Sequence, residues 1–155
     1  MPQFEHPAQT RERVRPFKLV ERRIWPGCIE IEVEGELDLA VSDRLRSALD
    51  AAAATPCHVL LGLGACEFID SSGLAILAAA SRAFSARDRQ LLLYGVHGQV
   101  RRLLSLTGLT EDGLRISAGD ASAFAVEDMA LDRAFSVTLT DGRSARLRRS
   151  GVAAP

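Results

Sequence analysis

An α/β fold built on a mixed, mostly parallel sheet is what this sequence predicts, and three observations predict it. Cys28-Ile29-Glu30-Ile31-Glu32-Val33-Glu34 alternates strictly between apolar and charged residues, the period of a strand with one covered face. Val59-Leu60-Leu61-Gly62-Leu63 is a continuous apolar run of strand length, the signature of a strand covered on both faces. Between and after them, strand-length segments alternate with segments at helical spacing, which calls for crossover connections and helices packed on a parallel sheet.

The elements follow in order. Residues 1–16, with Pro7 and Pro16 bracketing Arg11-Glu12-Arg13, show little apolar periodicity and read as a loose arm. Phe17 to Ile24 forms a first strand, Pro26-Gly27 a turn, and the alternating segment its antiparallel partner, with Ile29, Ile31 and Val33 toward the core and Glu30, Glu32 and Glu34 toward water. Gly35-Glu36-Leu37-Asp38-Leu39 then breaks the alternation. Val41, Leu45, Ala48, Leu49 and Ala52 mark a first helix that stops at Thr55-Pro56. The apolar run from Val59 follows, parallel to the strand before the helix.

After Asp70-Ser71-Ser72-Gly73 comes a second helix, alanine-rich and apolar almost all round, which ends in Ser85-Ala86-Arg87-Asp88-Arg89. Its alanines allow close packing at little entropic cost. Leu91-Leu92-Leu93-Tyr94 is a further buried strand. Val100, Leu103, Leu104 and Thr107 mark a third helix with Gly108 placed to cap its end. Leu114-Arg115-Ile116 reads as a short edge strand, and a fourth helix runs from Asp120 as N-cap to about Leu131. Beyond it Phe135, Val137 and Leu139 alternate, as do Ala145 and Leu147. A three-residue loop, Thr140-Asp141-Gly142, would pair Val137 with Ala145 and Phe135 with Leu147, giving a C-terminal hairpin over 135–147. The alternative is a loose basic tail. The expected division is thus an arm over 1–16, one α/β domain over 17–131 with about four helices, and an extension over 132–155.

Charge is unevenly spread within the net −1 of the chain. Residues 1–23 carry six Lys/Arg and three Glu, residues 131–155 five Arg and two Asp, whereas residues 24–130 carry eight Arg against fifteen Asp/Glu, a net of −7. An acidic body argues against nucleic acid as its partner and fits a basic protein better. No apolar leader and no stretch of membrane-spanning length is present, so a cytoplasmic protein without a membrane span is expected. Cys28, Cys57 and Cys66 have neither paired nor metal-finger spacing and read as small buried hydrophobes. Neither G-x-x-x-x-G-K-[ST] nor G-x-G-x-x-G occurs, and no cofactor is implied.

The chemistry concentrates at Phe68-Ile69-Asp70-Ser71-Ser72-Gly73-Leu74. A strand-to-helix corner sets two hydroxyls and a carboxylate where the first N–H groups of a helix lack intrahelical partners. A nucleophilic serine would need the G-x-S-x-G elbow, and neither Ser71 nor Ser72 has it. A base would have to be His6, His58 or His97. His6 lies in the arm and His58 at the start of a buried strand, which leaves His97, so the enzyme reading is poorly supported. As a substrate, Ser71 could carry a phosphoryl group at a helix N-terminus whose dipole favours anions, adding about −1.5 to −2 charges beside Asp70. A partner docked over the corner would then be released by repulsion and bulk. On spacing alone, the plainer reading that Ser71 and Ser72 merely cap the helix stays open.

Gly35-Glu36-Leu37-Asp38, His58-Val59-Leu60-Leu61-Gly62-Leu63, Phe68-Ile69-Asp70-Ser71-Ser72-Gly73-Leu74 and Val100 to Leu109 resemble, in order and spacing, the STAS domain of bacterial anti-sigma factor antagonists. The resemblance spans about residues 17–130. It implies that Ser71 is phosphorylated by an anti-sigma factor that is also a serine kinase. The unmodified antagonist would bind this kinase and free the sigma factor; the phosphorylated form would let go until a serine phosphatase resets it. The implied partner surface comprises Asp38, Asp70, Ser72, Gly73 and the start of the following helix. Relatives also include subunits of lipid transporters, stress-signalling scaffolds and the cytoplasmic ends of anion transporters, so a constitutive scaffold is the alternative, because a shared fold does not choose a partner.

Overall fold

The computed structural model describes residues 15–25, 27–110 and 114–117, with the strand backbones 134–138 and 144–148. Five strands form one sheet in sequential order: β1 (Lys18–Trp25), β2 (Cys28–Leu37), β3 (His58–Ile69), β4 (Leu91–Tyr94) and β5 (Arg115–Ile116). β1 and β2 are antiparallel; β2 through β5 are parallel. The crossovers carry α1 (Leu39–Ala53), α2 (Ser71–Ser85) and α3 (Gly98–Leu106). The fourth helix expected from Asp120 lies outside the described residues. So do residues 1–14 of the arm and the loop Thr140-Asp141-Gly142.

The C-terminal strands β6 (Ala134–Thr138) and β7 (Ser144–Arg148) pair antiparallel as a separate two-stranded sheet. Their register sets Val137 opposite Ala145 and Phe135 opposite Leu147, the pairing the alternation calls for. Gly108 takes a positive φ of 69° just past the Thr107 C-cap of α3, the left-handed position where glycine loses nothing sterically.

Side chains from Ile29, Ile31, Val33, Val59, Leu61, Leu63, Leu91 and Leu93 on one face of the sheet join Leu45 and Leu49 of α1, Leu77 and Phe84 of α2 and Val100 and Leu104 of α3 in one core. Two expectations need correction. β2 and β3 run further than the apolar patterns indicate, because irregularities between Glu32 and Glu34 and between Gly35 and Glu36 let them stay paired as far as Leu37 and Ile69. Alternation also placed Glu30 toward water, yet Glu30 is buried. The second face of the sheet is covered too, with Leu60 and Leu92 buried there, and the Glu30 carboxylate is retained by partners. Tyr94 Oη donates to Glu30 Oε1 at 2.6 Å, and Arg22 donates to Oε2 at 3.1 and 2.8 Å. The Tyr94 ring passes over β3 to reach β2, which only a glycine at position 62 permits: a Cβ there would lie 2.5 Å from Tyr94 Oη.

Candidate functional site

The connections leaving β2, β3 and β4 emerge at the same end of the parallel sheet, the carboxyl end of its strands, where α/β folds place ligands and partners. Three residues stand at the N-caps there: Asp38 for α1, Asp70 for α2 and His97 for α3. Asp38 Oδ1 accepts from Ala40 N at 3.0 Å, an ordinary cap. Asp70 does more. Its Oδ1 accepts from Ser72 N at 2.9 Å and Gly73 N at 3.1 Å, and also from the Ser72 hydroxyl. Its Oδ2 accepts from Leu39 N at 3.1 Å, the first residue of α1. One carboxylate therefore ties together the N-termini of two neighbouring helices. The Ser72 hydroxyl, followed by the N–H groups of Gly73, Ser72 and Leu39, holds the Asp70 carboxyl below the usual carboxylate range against a smaller desolvation effect.

This network separates the two serines. Ser72 is half-buried and its hydroxyl is committed to Asp70. Ser71, the first residue of α2, is exposed, and its hydroxyl has no hydrogen-bond partner among the described residues. Gly73 is buried, and its missing side chain sets the depth of the helix: a Cβ would lie 2.7 Å from Ile69 Cγ1 and 3.0 Å from Leu37 Cγ. Gln99 of α3 supports the corner from the other side, donating to the Ile69 carbonyl at 3.4 Å and accepting from Ile69 N at 3.3 Å. Spacing gave no hint of Gln99, or of the link from Asp70 to Leu39, since both join residues about thirty positions apart.

Among the described residues, the two histidines considered as bases are hydrogen-bonded within the fold. His97 Nε2 sits 2.9 Å from the Gly64 carbonyl, and His58 Nδ1 accepts from Gln90 N at 3.1 Å. Burial pushes the Cys28 thiol up to about 12, which keeps it protonated and unreactive at neutral pH, and burial raises that of Cys66 as well. Among the described residues no group of three or more His, Cys, Asp or Glu could hold a metal ion, and no helix is long and apolar enough to cross a membrane.

By fold and site this is an α/β domain whose parallel strand ends carry a firmly capped corner with one exposed serine hydroxyl. The STAS domain model matches residues 20–120, and the chain belongs to that family. It is 32% identical over 92 residues to an anti-sigma F factor antagonist of Paenibacillus polymyxa, covering 58% of this chain and 79% of that protein. Among solved structures, an anti-sigma factor antagonist from Mycobacterium paratuberculosis aligns with a TM-score of 0.59 at 26% identity, covering 65% of this chain and 85% of that one. A sulfate transporter family protein from Wolinella succinogenes aligns with a TM-score of 0.52 at 27% identity, over 59% of this chain and 75% of that one.

Proposed function

We propose that this chain is an anti-sigma factor antagonist that binds an anti-sigma serine kinase while Ser71 is free and releases it once Ser71 is phosphorylated. A serine phosphatase would restore the free form, and sigma-factor-dependent transcription would follow the balance between the two. The observation that carries this reading is the contrast at the corner: Ser71 is exposed with an open hydroxyl while Ser72 is consumed by Asp70. The likeness to anti-sigma factor antagonists supports an anti-sigma factor as the partner.

The switch works through charge and desolvation. Asp70 makes no bond to Ser71, so the base that removes the Oγ proton during phosphoryl transfer from ATP would come from the kinase. The product places a dianionic group at the start of α2, where the helix dipole tolerates it. The fold survives modification while a partner pressed onto the corner around Asp38, Asp70 and Ser72 meets a new charge that it must desolvate. Gly73, expected from the resemblance to share that surface, is buried against Ile69 and Leu37 and sets the depth of the helix instead. Incubation with anti-sigma serine kinases and ATP, read by mass spectrometry, should yield one phosphate on Ser71 and none on Ser71→Ala. Absence of that phosphate, together with undiminished partner binding by Ser71→Glu, would overturn the reading.

The second reading is a constitutive scaffold or a regulatory subunit of a transporter or stress-signalling complex, favoured by the likeness to the Wolinella succinogenes transporter family protein. Co-purification with a membrane complex that is indifferent to Ser71→Ala would select it.

A further inference from the structure

Among the described residues three large hydrophobic side chains are exposed: Leu39 at 74%, Phe68 at 38% and Leu106 at 75%. Leu106 lies at the far end of α3, but Leu39 and Phe68 flank Asp70. Leu39 is the first residue of α1, as Ser71 is of α2, and its N–H is the one bound by Asp70 Oδ2. Phe68 precedes Asp70 by two residues and is paired with Glu36 across the strands. Their neighbours Leu37, Leu45 and Ile69 are fully buried, so these two outward positions stand apart from an otherwise well-covered set of apolar residues.

Both side chains are mounted on fixed backbone. The Phe68 carbonyl accepts from the Cys66 thiol at 3.3 Å, and Gln99 grips both backbone groups of the next residue, Ile69. Anchors held in this way lose little conformational freedom on binding. Around them the carboxylates Glu36, Asp38, Asp43, Glu67 and Asp70 outnumber the cations Arg15, Arg44 and Arg46. Glu36, Asp38 and Asp70 have no ion-pair partner among the described residues, while Glu67 and Asp43 pair only with the exposed Arg15 and Arg46. Such exposed pairs are worth little and exchange readily for a partner's cation.

Building on the antagonist reading, we infer that Leu39 and Phe68 are the apolar anchors of the docking surface, and that they fit a hydrophobic socket rimmed by Lys or Arg on the anti-sigma factor. A phosphoryl group on Ser71 then acts where it is most disruptive, because it forces an anion into the contact these anchors keep dry. Central apolar anchors of this kind carry most of the energy of an interface.

The test uses the full chain and a panel of purified anti-sigma serine kinases, with affinity measured by calorimetry for wild type, Leu39→Ser, Phe68→Ser, Leu106→Ser and Ser71→Glu. Leu39→Ser and Phe68→Ser should each weaken binding about tenfold or more with unchanged thermal unfolding, whereas Leu106→Ser should stay within about twofold. The conservative Leu39→Met and Phe68→Leu should keep wild-type affinity, which separates lost contact from lost fold. Binding by both serine variants as tight as wild type, with Ser71→Glu still releasing, would overturn the anchors and leave the switch intact. Release by the anchor variants with Ser71→Glu still bound would support the anchors and overturn the switch. If no anti-sigma serine kinase binds the wild type, both fall.

Discussion

Asp70 and Glu30 are both carboxylates set against an apolar sheet, and they are held in opposite ways. Glu30, on the second face, is met by side chains from two other strands, Arg22 and Tyr94, and is closed off from solvent. Asp70, at the strand ends, is met mainly by backbone N–H groups of two helices, and the serine beside it keeps its hydroxyl open. The Glu30 cluster ties β1, β2 and β4 together across Gly62 and keeps the Glu30 carboxylate enclosed. At the Asp70 corner the same kind of charge orders the backbone, and the adjacent side chains remain available. A buried polar cluster with every group satisfied serves the fold, whereas one with a group left over can serve a reaction or an interface.

This contrast can be broken most forcefully at Gly62. Gly62→Val would drive a branched side chain into the Tyr94 ring and should cost about 2–4 kcal/mol of stability in urea unfolding. A loss below about 1 kcal/mol would mean that the ring moves aside freely and the cluster is not a tie. Asp70→Ala should come next, at about 2 kcal/mol, because one truncation removes the acceptor at two helix ends. It should also impair phosphorylation of Ser71, which Gly62→Val should not do at a temperature where that variant is folded. Tyr94→Phe removes one donor from Glu30 and should cost about 1–2 kcal/mol, with no effect on Ser71. Ser71→Ala should change stability by no more than about 0.5 kcal/mol, since its hydroxyl holds nothing in the fold, while abolishing the phosphate signal.

Acid titration sharpens the same comparison. The pKa of Asp70 is lowered in the folded chain, so its contribution is fully present above the unfolded value and fades as pH falls through the folded one. Asp70→Asn keeps a capping acceptor but cannot titrate. The stability gap between wild type and Asp70→Asn should therefore narrow as pH falls below the ordinary aspartate value of about 4, as followed by urea midpoints. An unchanged gap would place the acid sensitivity elsewhere.

Much of the scaffold was legible in the residues. Strict alternation in Cys28–Glu34 located β2, the uninterrupted Val59–Leu63 run located the middle of the sheet, and the position of Gly108 located the end of α3. The alternation in Phe135–Leu147 was enough to give the register of the C-terminal pair. Glu30 was misread because alternation reports only that one face is apolar, and says nothing about whether the other is wet. Three signals could have corrected it: Arg22 lies opposite Glu30 in the hairpin register, Tyr94 ends the fourth strand, and a glycine interrupts the strand between them. The candidate corner was equally visible as a place, from Asp70-Ser71-Ser72-Gly73 before an apolar helix, but apart from the resemblance, which singles out Ser71, two adjacent hydroxyls look alike in a sequence.

By itself, then, the sequence determined the order and type of the described elements, the position of the capped corner and the family resemblance, because these rest on local periodicity and on motifs a few residues long. Only the tertiary structure decided which hydroxyl stays open, since that depends on Asp70 turning one oxygen to its own helix and the other to Leu39 in the helix beside it. The exposure of Leu39 and Phe68 was decided in the same way. Apolar residues signal burial in a sequence, and whether a surface covers them depends on segments that meet only when the sheet brings its strand ends together.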